Sequence, residues 1–108
     1  MTAEKLSALA EPHRLQIVEL LRVQPRSVGE LVAQLEIRQP QVSKHLKILC
    51  VAGWVSARPR TQTQIYQLSP DSFRDLDQWL ENFRVLWEAR YQKLDALLEE
   101  LQKRGEEK

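Results

Sequence analysis

Apolar side chains recur every three or four residues along the first half of the chain, which is the spacing of helix faces. Leu6 and Leu9 fit a short first helix. Pro12 ends that helix by restricting the residue before it, and then opens the next helix. The second helix carries a wide apolar face as far as Arg22, formed by Leu15, Ile17, Val18, Leu20 and Leu21. A face of that width predicts a central helix.

Two further helices are marked by residues at their ends. Ser27 followed three residues later by Glu30 predicts a capping box at the start of a third helix. A turn leads to Pro40, whose missing N–H suits the first turn of a fourth helix over residues 39–52. Gly53 can take the left-handed conformation that ends such a helix. The sequence therefore predicts two short helices joined by a tight turn.

From residue 54 the pattern changes from helical to extended. Residues 54–58 and 64–68 are β-prone, and residues 59–63 join them, so a hairpin is predicted. After Pro70 neither glycine nor proline occurs until Gly105, which predicts one long helix of roughly 35 residues.

These elements predict a single domain over residues 1–108, mainly α with a small β-hairpin wing. A length of 108 residues suits one domain, and 43% hydrophobic with 29% charged residues is a globular composition. We expect a core over 1–68, with the wing at 54–68, and a long C-terminal helix over 69–104. No apolar run approaches the roughly 20 residues of a membrane helix, and the N-terminus lacks a signal-peptide pattern, so we expect a cytoplasmic protein with no membrane partner.

Positive charge is concentrated in the first two thirds of the sequence. Residues 1–68 contain nine Lys and Arg against five Asp and Glu, whereas residues 69–108 contain seven against ten. No acidic residue lies between Glu36 and Asp71, and that stretch holds Arg38, Lys44, Lys47, Arg58 and Arg60. Such a stretch attracts a polyanion, although a solvated basic surface without a partner has the same charge pattern.

The outward face of the fourth helix is the main candidate for recognising nucleic acid. With Val42, Leu46 and Leu49 facing inward, the opposite face is polar and basic. Such a helix fits the major groove, where Gln pairs with adenine and Lys or Arg reaches guanine or phosphate, while the hairpin tip can contact the minor groove or backbone. The candidate DNA-binding residues are Arg38, Gln39, Gln41, Ser43, Lys44, His45, Lys47, Arg58, Arg60, Thr61 and Gln62.

Four segments together resemble the ArsR-type bacterial repressors: residues 6–21, 28–35, 39–49 and 52–55. They follow one another in the order and spacing of that family and extend over almost the whole chain. The resemblance implies a winged helix-turn-helix fold and a symmetric homodimer. It also implies that two recognition helices bind an operator in double-stranded DNA, and that an effector of unspecified identity relieves repression.

The long C-terminal helix predicts dimerisation on its own evidence. From Phe73 to Leu101 its apolar residues alternate steps of three and four, with only Arg90 interrupting the series. A helix of about 35 residues spans roughly 50 Å, too long to bury this seam against so small a domain, which favours a dimer interface over the alternative of a core within the chain. The predicted interface residues are Leu6, Leu9, Phe73, Leu76, Leu80, Phe83, Trp87, Tyr91 and Leu94. An aromatic-lined ligand pocket formed by Trp79, Trp87 and Tyr91 is the less favoured alternative.

No metal site is predicted. Metal-sensing members of the resembled family use cysteines near residues 30–35 or histidines on the last helix, and this chain has neither. The resemblance is therefore to a branch that does not sense metals. His13 has no second ligand at a suitable spacing, His45 is interpreted as a DNA contact or a partly packed side chain, and Cys50 is expected to be an inert buried thiol.

No enzyme activity and no cofactor are predicted either. One cysteine, two separated histidines and three glycines supply no nucleophile–base pair and no phosphate-binding loop. The competing hypothesis from another class is a winged-helix module that binds a protein partner and has no specific DNA target.

Overall fold

The computed structural model describes residues 1–106 and contains five helices and three short strands in that range. The helices are Ala3–Leu9 (α1), Pro12–Val23 (α2), Val28–Leu35 (α3), Gln39–Ala52 (α4) and Pro70–Glu106 (α5). The strands are Arg26–Ser27 (β1), Val55–Arg60 (β2) and Thr63–Leu68 (β3), and they form an antiparallel sheet in the order β1-β3-β2. The predicted fold class, mainly α with a small β-hairpin wing, is confirmed. The two-residue strand β1 was not predicted.

The predicted helix ends are present. Ser27 Oγ accepts a hydrogen bond from the Glu30 amide at 3.3 Å, and Glu30 Oε1 accepts one from the Ser27 amide at 3.4 Å, which completes the capping box. Pro12 and Pro40 lie in the first turns of α2 and α4. Gly53 ends α4 with a φ of 88°, in the left-handed region. Local side-chain chemistry therefore sets where these helices begin and end.

The hydrophobic core lies between α2, α3, α4 and the start of the hairpin. Its fully buried members are Ile17, Leu31, Val42, Leu46, Leu49 and Trp54. The expectation that Leu15 belongs to the inner face of α2 is wrong, because this side chain is 49% exposed. Ile17 and Leu21 lie four residues apart and take the inward face, and a residue two positions before Ile17 points away from it.

Trp54 connects the end of α4 to the hairpin and to both terminal helices. Its indole N–H donates to the Lys5 carbonyl at 2.6 Å, and its ring centroid lies 5.0 Å from that of Phe73. The Ser69 amide donates to the Trp54 carbonyl at 2.9 Å. Phe73, a predicted interface residue, therefore packs with at least part of its ring on the core of its own chain.

The chain divides into two compact units, Met1–Asp75 and the part that begins at Leu76. In the second unit the rings of Trp79 and Phe83 meet edge to face, with centroids 5.0 Å apart. Every described side chain from Leu80 to Gly105 is exposed. Among residues 1–106, no helix combines the length and apolar character needed to cross a membrane.

Candidate nucleic-acid interface

The rotation of α4 about its axis is fixed by its buried face. Val42 and Leu49 are 0% exposed and Leu46 is 1% exposed. The opposite face therefore points to solvent, as the helical period predicts. Gln41, Lys44 and Lys47 lie on that solvent face, and Gln39 in the first turn and Ser43 on the flank are exposed as well.

The first turn of α4 carries no negative charge. Arg38 precedes the helix in an extended conformation without making a side-chain cap, and no acidic residue occupies the first turn. The amides at a helix N-terminus carry a partial positive charge that attracts anions. The start of α4 therefore adds to the positive character of Lys44 and Lys47.

The hairpin projects a second exposed surface. After Val55 every residue of β2 is exposed, including Arg58 and Arg60. The predicted connection over residues 59–63 is too long, because strand pairing continues to Arg60 and Thr63 and only Thr61 and Gln62 remain in the turn. Thr61 has a φ of 53°, so a threonine takes the left-handed conformation that glycine adopts most readily.

The five cations of the acid-free stretch stay without an acidic partner. Among the described side chains, no ion pair within 4.0 Å involves the cations Arg38, Lys44, Lys47, Arg58 or Arg60. The positive charge of α4 and of the hairpin is therefore not cancelled by contacts within this part of the chain. A surface of this kind can neutralise phosphates.

His45 differs from its neighbours on α4 because its side chain is only 17% exposed. Its Nδ1 atom lies 3.3 Å from Arg14 Nη1 and 3.7 Å from Glu11 Oε2. Desolvation lowers the pKa of His45 below its ordinary value of 6.5, and the Glu11 charge only partly offsets this effect. His45 is therefore a partly packed side chain, which is one of the two interpretations that its sequence position allowed. A neutral imidazole at this place adds no charge to the solvent face.

No second ligand for His13 lies at a suitable spacing in the sequence, but the fold brings Glu11 and His45 close to it. His13 Nδ1 lies 3.3 Å from Glu11 Oε1, and the ring centroids of His13 and His45 are 5.5 Å apart. The start of α2 and the middle of α4 bring these residues together. The two histidines are 32 positions apart in the sequence, so no local spacing reveals the cluster.

Cys50 is a free, half-buried cysteine on α4. Burial raises the pKa of its thiol above the ordinary value of 9.0. A raised pKa keeps the group in the unreactive thiol form, in agreement with an inert role.

The residues predicted for a dimer interface fall into two groups. Leu6, Leu9, Phe73 and Leu76 are half-buried. The others are exposed: Leu80 and Phe83 at 38%, Trp87 at 49%, Tyr91 at 66% and Leu94 at 50%. Exposed apolar side chains that recur along one helix in this way indicate an interaction surface.

The sequence matches a known family and several of its curated relatives. Residues 11–57 match the family model described as "Bacterial regulatory protein, arsR family". An HTH-type transcriptional regulator of Mycobacterium tuberculosis is 42% identical over 76 residues, which cover 70% of this chain and 71% of that protein. The HTH-type transcriptional repressor SmtB of the same species is 47% identical over 66 residues, which cover 61% of this chain. The match spans only about half of SmtB, 49% of its length.

Solved structures show the same fold. HlyU from Vibrio cholerae is 37% identical with a TM-score of 0.61, over 72% of this chain and 85% of that one. A homodimeric winged helix-turn-helix DNA-binding domain from Mycobacterium bovis is 29% identical with a TM-score of 0.63. That similarity covers 77% of this chain and 80% of the other. The α3–α4 pair and the β2–β3 hairpin thus have the winged helix-turn-helix arrangement.

Proposed function

Because the chain belongs to the ArsR family of bacterial regulatory proteins, we propose that it is a homodimeric transcriptional repressor that binds an operator in double-stranded DNA. Relatives in this family are named HTH-type transcriptional regulators, and SmtB is named a repressor. The family model covers residues 11–57, which include all of α4. The residues that match the family therefore include the proposed recognition helix.

The observation that carries this proposal is the solvent face of α4, which is polar and basic and has no acidic partner in the described chain. We assign α4 to the major groove. There Gln41 reads a base edge, and Lys44 and Lys47 contact guanine or phosphate. Arg38 before the helix, Gln39 in its first turn and Ser43 on its flank add further contacts.

The hairpin acts as the wing. Arg58 and Arg60, with Thr61 and Gln62 at the turn, contact the flanking backbone or minor groove. In this assignment residues 1–68 are the DNA-binding core and residues 69–104 the dimerisation helix. His45 is left out of the contact set because its half-buried side chain lies against Glu11 and Arg14.

The exposed seam of α5 supports dimerisation. Leu80, Phe83, Trp87 and Leu94 continue its three-and-four spacing with a third to a half of each side chain open to solvent. The related domain from Mycobacterium bovis is described as homodimeric. A second copy of this chain would cover the seam and present two recognition helices to one operator.

DNA binding is tested by fluorescence anisotropy with a labelled duplex from the region upstream of the protein's own gene. The five cations of the acid-free stretch in each protomer can supply at most ten phosphate contacts in a dimer. The logarithm of the association constant should then fall with the logarithm of salt concentration with a slope no steeper than about −9. A scrambled duplex of equal length should bind more weakly. If the protein does not bind the duplex at low salt, the proposal is refuted.

Dimerisation is tested separately by sedimentation equilibrium of the full chain. Phe83→Glu places a charge in the apolar seam and should weaken the dimer. Gln92→Glu adds the same charge on α5 outside the seam and should leave it intact. A wild-type protein that is monomeric at micromolar concentration would contradict the assignment of α5.

We further propose that the protein acts by binding rather than by catalysis, since its family and relatives are regulators. A cytoplasmic location follows from the proposed operator, because the bacterial chromosome lies in that compartment.

A further inference from the structure

We propose that Glu11, His13 and His45 form a binding site for a divalent transition-metal ion of the Zn²⁺ type. Each residue offers one ligand atom, and the three atoms lie within 4.8 Å of one another. Two imidazoles and one carboxylate are a donor set that zinc accepts, with the fourth position left to water. The site joins the start of α2 to the middle of α4.

The distances already approach those of a bound ion. Ligand bonds of about 2.0–2.1 Å in a tetrahedral site place neighbouring ligand atoms about 3.3 Å apart. Glu11 Oε1 lies 3.3 Å from His13 Nδ1, and Glu11 Oε2 lies 3.7 Å from His45 Nδ1. The ligand atoms of His13 and His45 lie within 4.8 Å of each other, so these side chains must move closer together to close the cluster around an ion.

The protonation states also favour a cation. Desolvation raises the pKa of Glu11, but the hydrogen bond from the Arg14 amide and the charges of His45, His13 and Arg14 outweigh it and lower the pKa below 4.5. The pKa of His45 lies below 6.5. At neutral pH the carboxylate is therefore ionised and the His45 imidazole neutral, which are the forms that bind metal.

Arg14 is the group that opposes the ion. Its Nη1 atom lies 3.3 Å from His45 Nδ1, so the guanidinium must leave that nitrogen when the ion arrives. The same side chain also donates from Nε to the Ala8 carbonyl at 2.6 Å, a hydrogen bond that does not involve the imidazole. The Arg14 amide donates to Glu11 Oε2 at 2.9 Å, which orients the carboxylate so that Oε1 lies near His13 and Oε2 near His45.

Access to the site is open on one side. The side chain of His13 is 42% exposed and that of Glu11 27% exposed. An ion can therefore enter from solvent past His13 and reach the deeper His45. The proposal does not depend on DNA binding, since it concerns only the affinity of this cluster for a metal.

The direct test is a Zn²⁺ titration of the metal-free full chain followed by NMR of the imidazole protons. The sequence contains only two histidines, so both resonances can be observed without ambiguity. We expect both to shift together and to stop shifting at one Zn²⁺ per protomer. A shift of one resonance alone, or of neither, would overturn the site.

A second measurement compares Zn²⁺ affinity in matched variants by competition with a chelating indicator. His13→Gln alters a partly exposed side chain and should keep the fold intact. Loss of a residue that supports a metal ligand weakens binding roughly 10–100-fold. Loss of the ligand His13 itself should weaken Zn²⁺ binding at least as much. Glu19→Gln removes an exposed carboxylate elsewhere on α2 and should bind as the wild type does. Equal affinity for His13→Gln and wild type would refute the proposal.

Discussion

Gly53 allows α4 to end in a left-handed turn, and its replacement by alanine should destabilise the protein. A Cβ at this position would lie 3.3 Å from Ser72 Oγ and 4.0 Å from Lys5 Nζ, on a backbone with a φ of 88°. The Ser72 hydroxyl donates to the Gly53 carbonyl, so it cannot move away freely without weakening that bond.

The expected effect follows from three contributions. A side chain in the left-handed region costs about 1–2 kcal/mol. Crowding and weakening of the Ser72 hydrogen bond add about 0.5–1.5 kcal/mol. The smaller entropy of the unfolded alanine chain offsets about 0.4–1 kcal/mol. Gly53→Ala should therefore lower the free energy of unfolding by about 0.5–3 kcal/mol.

Gly29 provides the matched control. It lies in α3, and a Cβ there would meet only Ser27 Oγ, at an ordinary contact distance of 3.9 Å. Gly29→Ala should raise stability by about 0.5–1 kcal/mol through helix propensity. Urea denaturation at one fixed protein concentration measures both variants, because the stability of a dimer depends on concentration. If both variants shift the midpoint in the same direction, the left-handed role of Gly53 is refuted.

Three further predictions concern stability. Ser27→Ala removes half of the capping box and should lower the free energy of unfolding by about 1 kcal/mol, measured by urea denaturation. An unchanged denaturation midpoint would show that the cap does not stabilise α3. Leu46 is 1% exposed, so Leu46→Ala should lower the free energy of unfolding by about 2–5 kcal/mol, measured by thermal unfolding. A smaller decrease would show that the core is poorly packed around Leu46. The pKa values of His45 and Glu11 are lowered on folding from 6.5 and 4.5. Their contribution to stability is therefore complete above the unfolded pKa values. It is lost as the pH falls from these values through the lower pKa values of the folded state, so unfolding midpoints should decrease from about pH 6.5 downward. His45→Gln should flatten the upper part of that profile, and an unchanged slope would contradict the assignment.

The elements that the sequence predicts well are those with local signals. The capping box at Ser27, the prolines in the first turns and Gly53 each act within a few residues, so spacing alone locates them. The solvent face of α4 is likewise predicted, since burial of Val42, Leu46 and Leu49 leaves only one orientation for Gln41 and Lys44.

The features that depend on tertiary contacts could not be predicted in the same way. Strand β1 has two residues and exists because Arg26 and Ser27 pair with Tyr66 and Ile65 far along the chain. The hairpin turn is shorter than expected because Thr61 takes a conformation typical of glycine. The cluster of Glu11, His13 and His45 arises only when α2 packs against α4. Periodicity contains no information on which distant side chains meet.

The central claim is that the solvent face of α4 binds the phosphates and bases of DNA, and paired lysine variants test it most directly. Lys44→Ala should lose one phosphate contact per protomer, which reduces the magnitude of the dimer's salt slope by about 2 and weakens binding to every duplex. Lys93→Ala removes an exposed lysine from α5 and should leave both quantities unchanged. Fluorescence anisotropy over a range of salt concentrations measures the affinity for DNA and its salt slope. If Lys44→Ala has the wild-type affinity and salt slope, the account is contradicted.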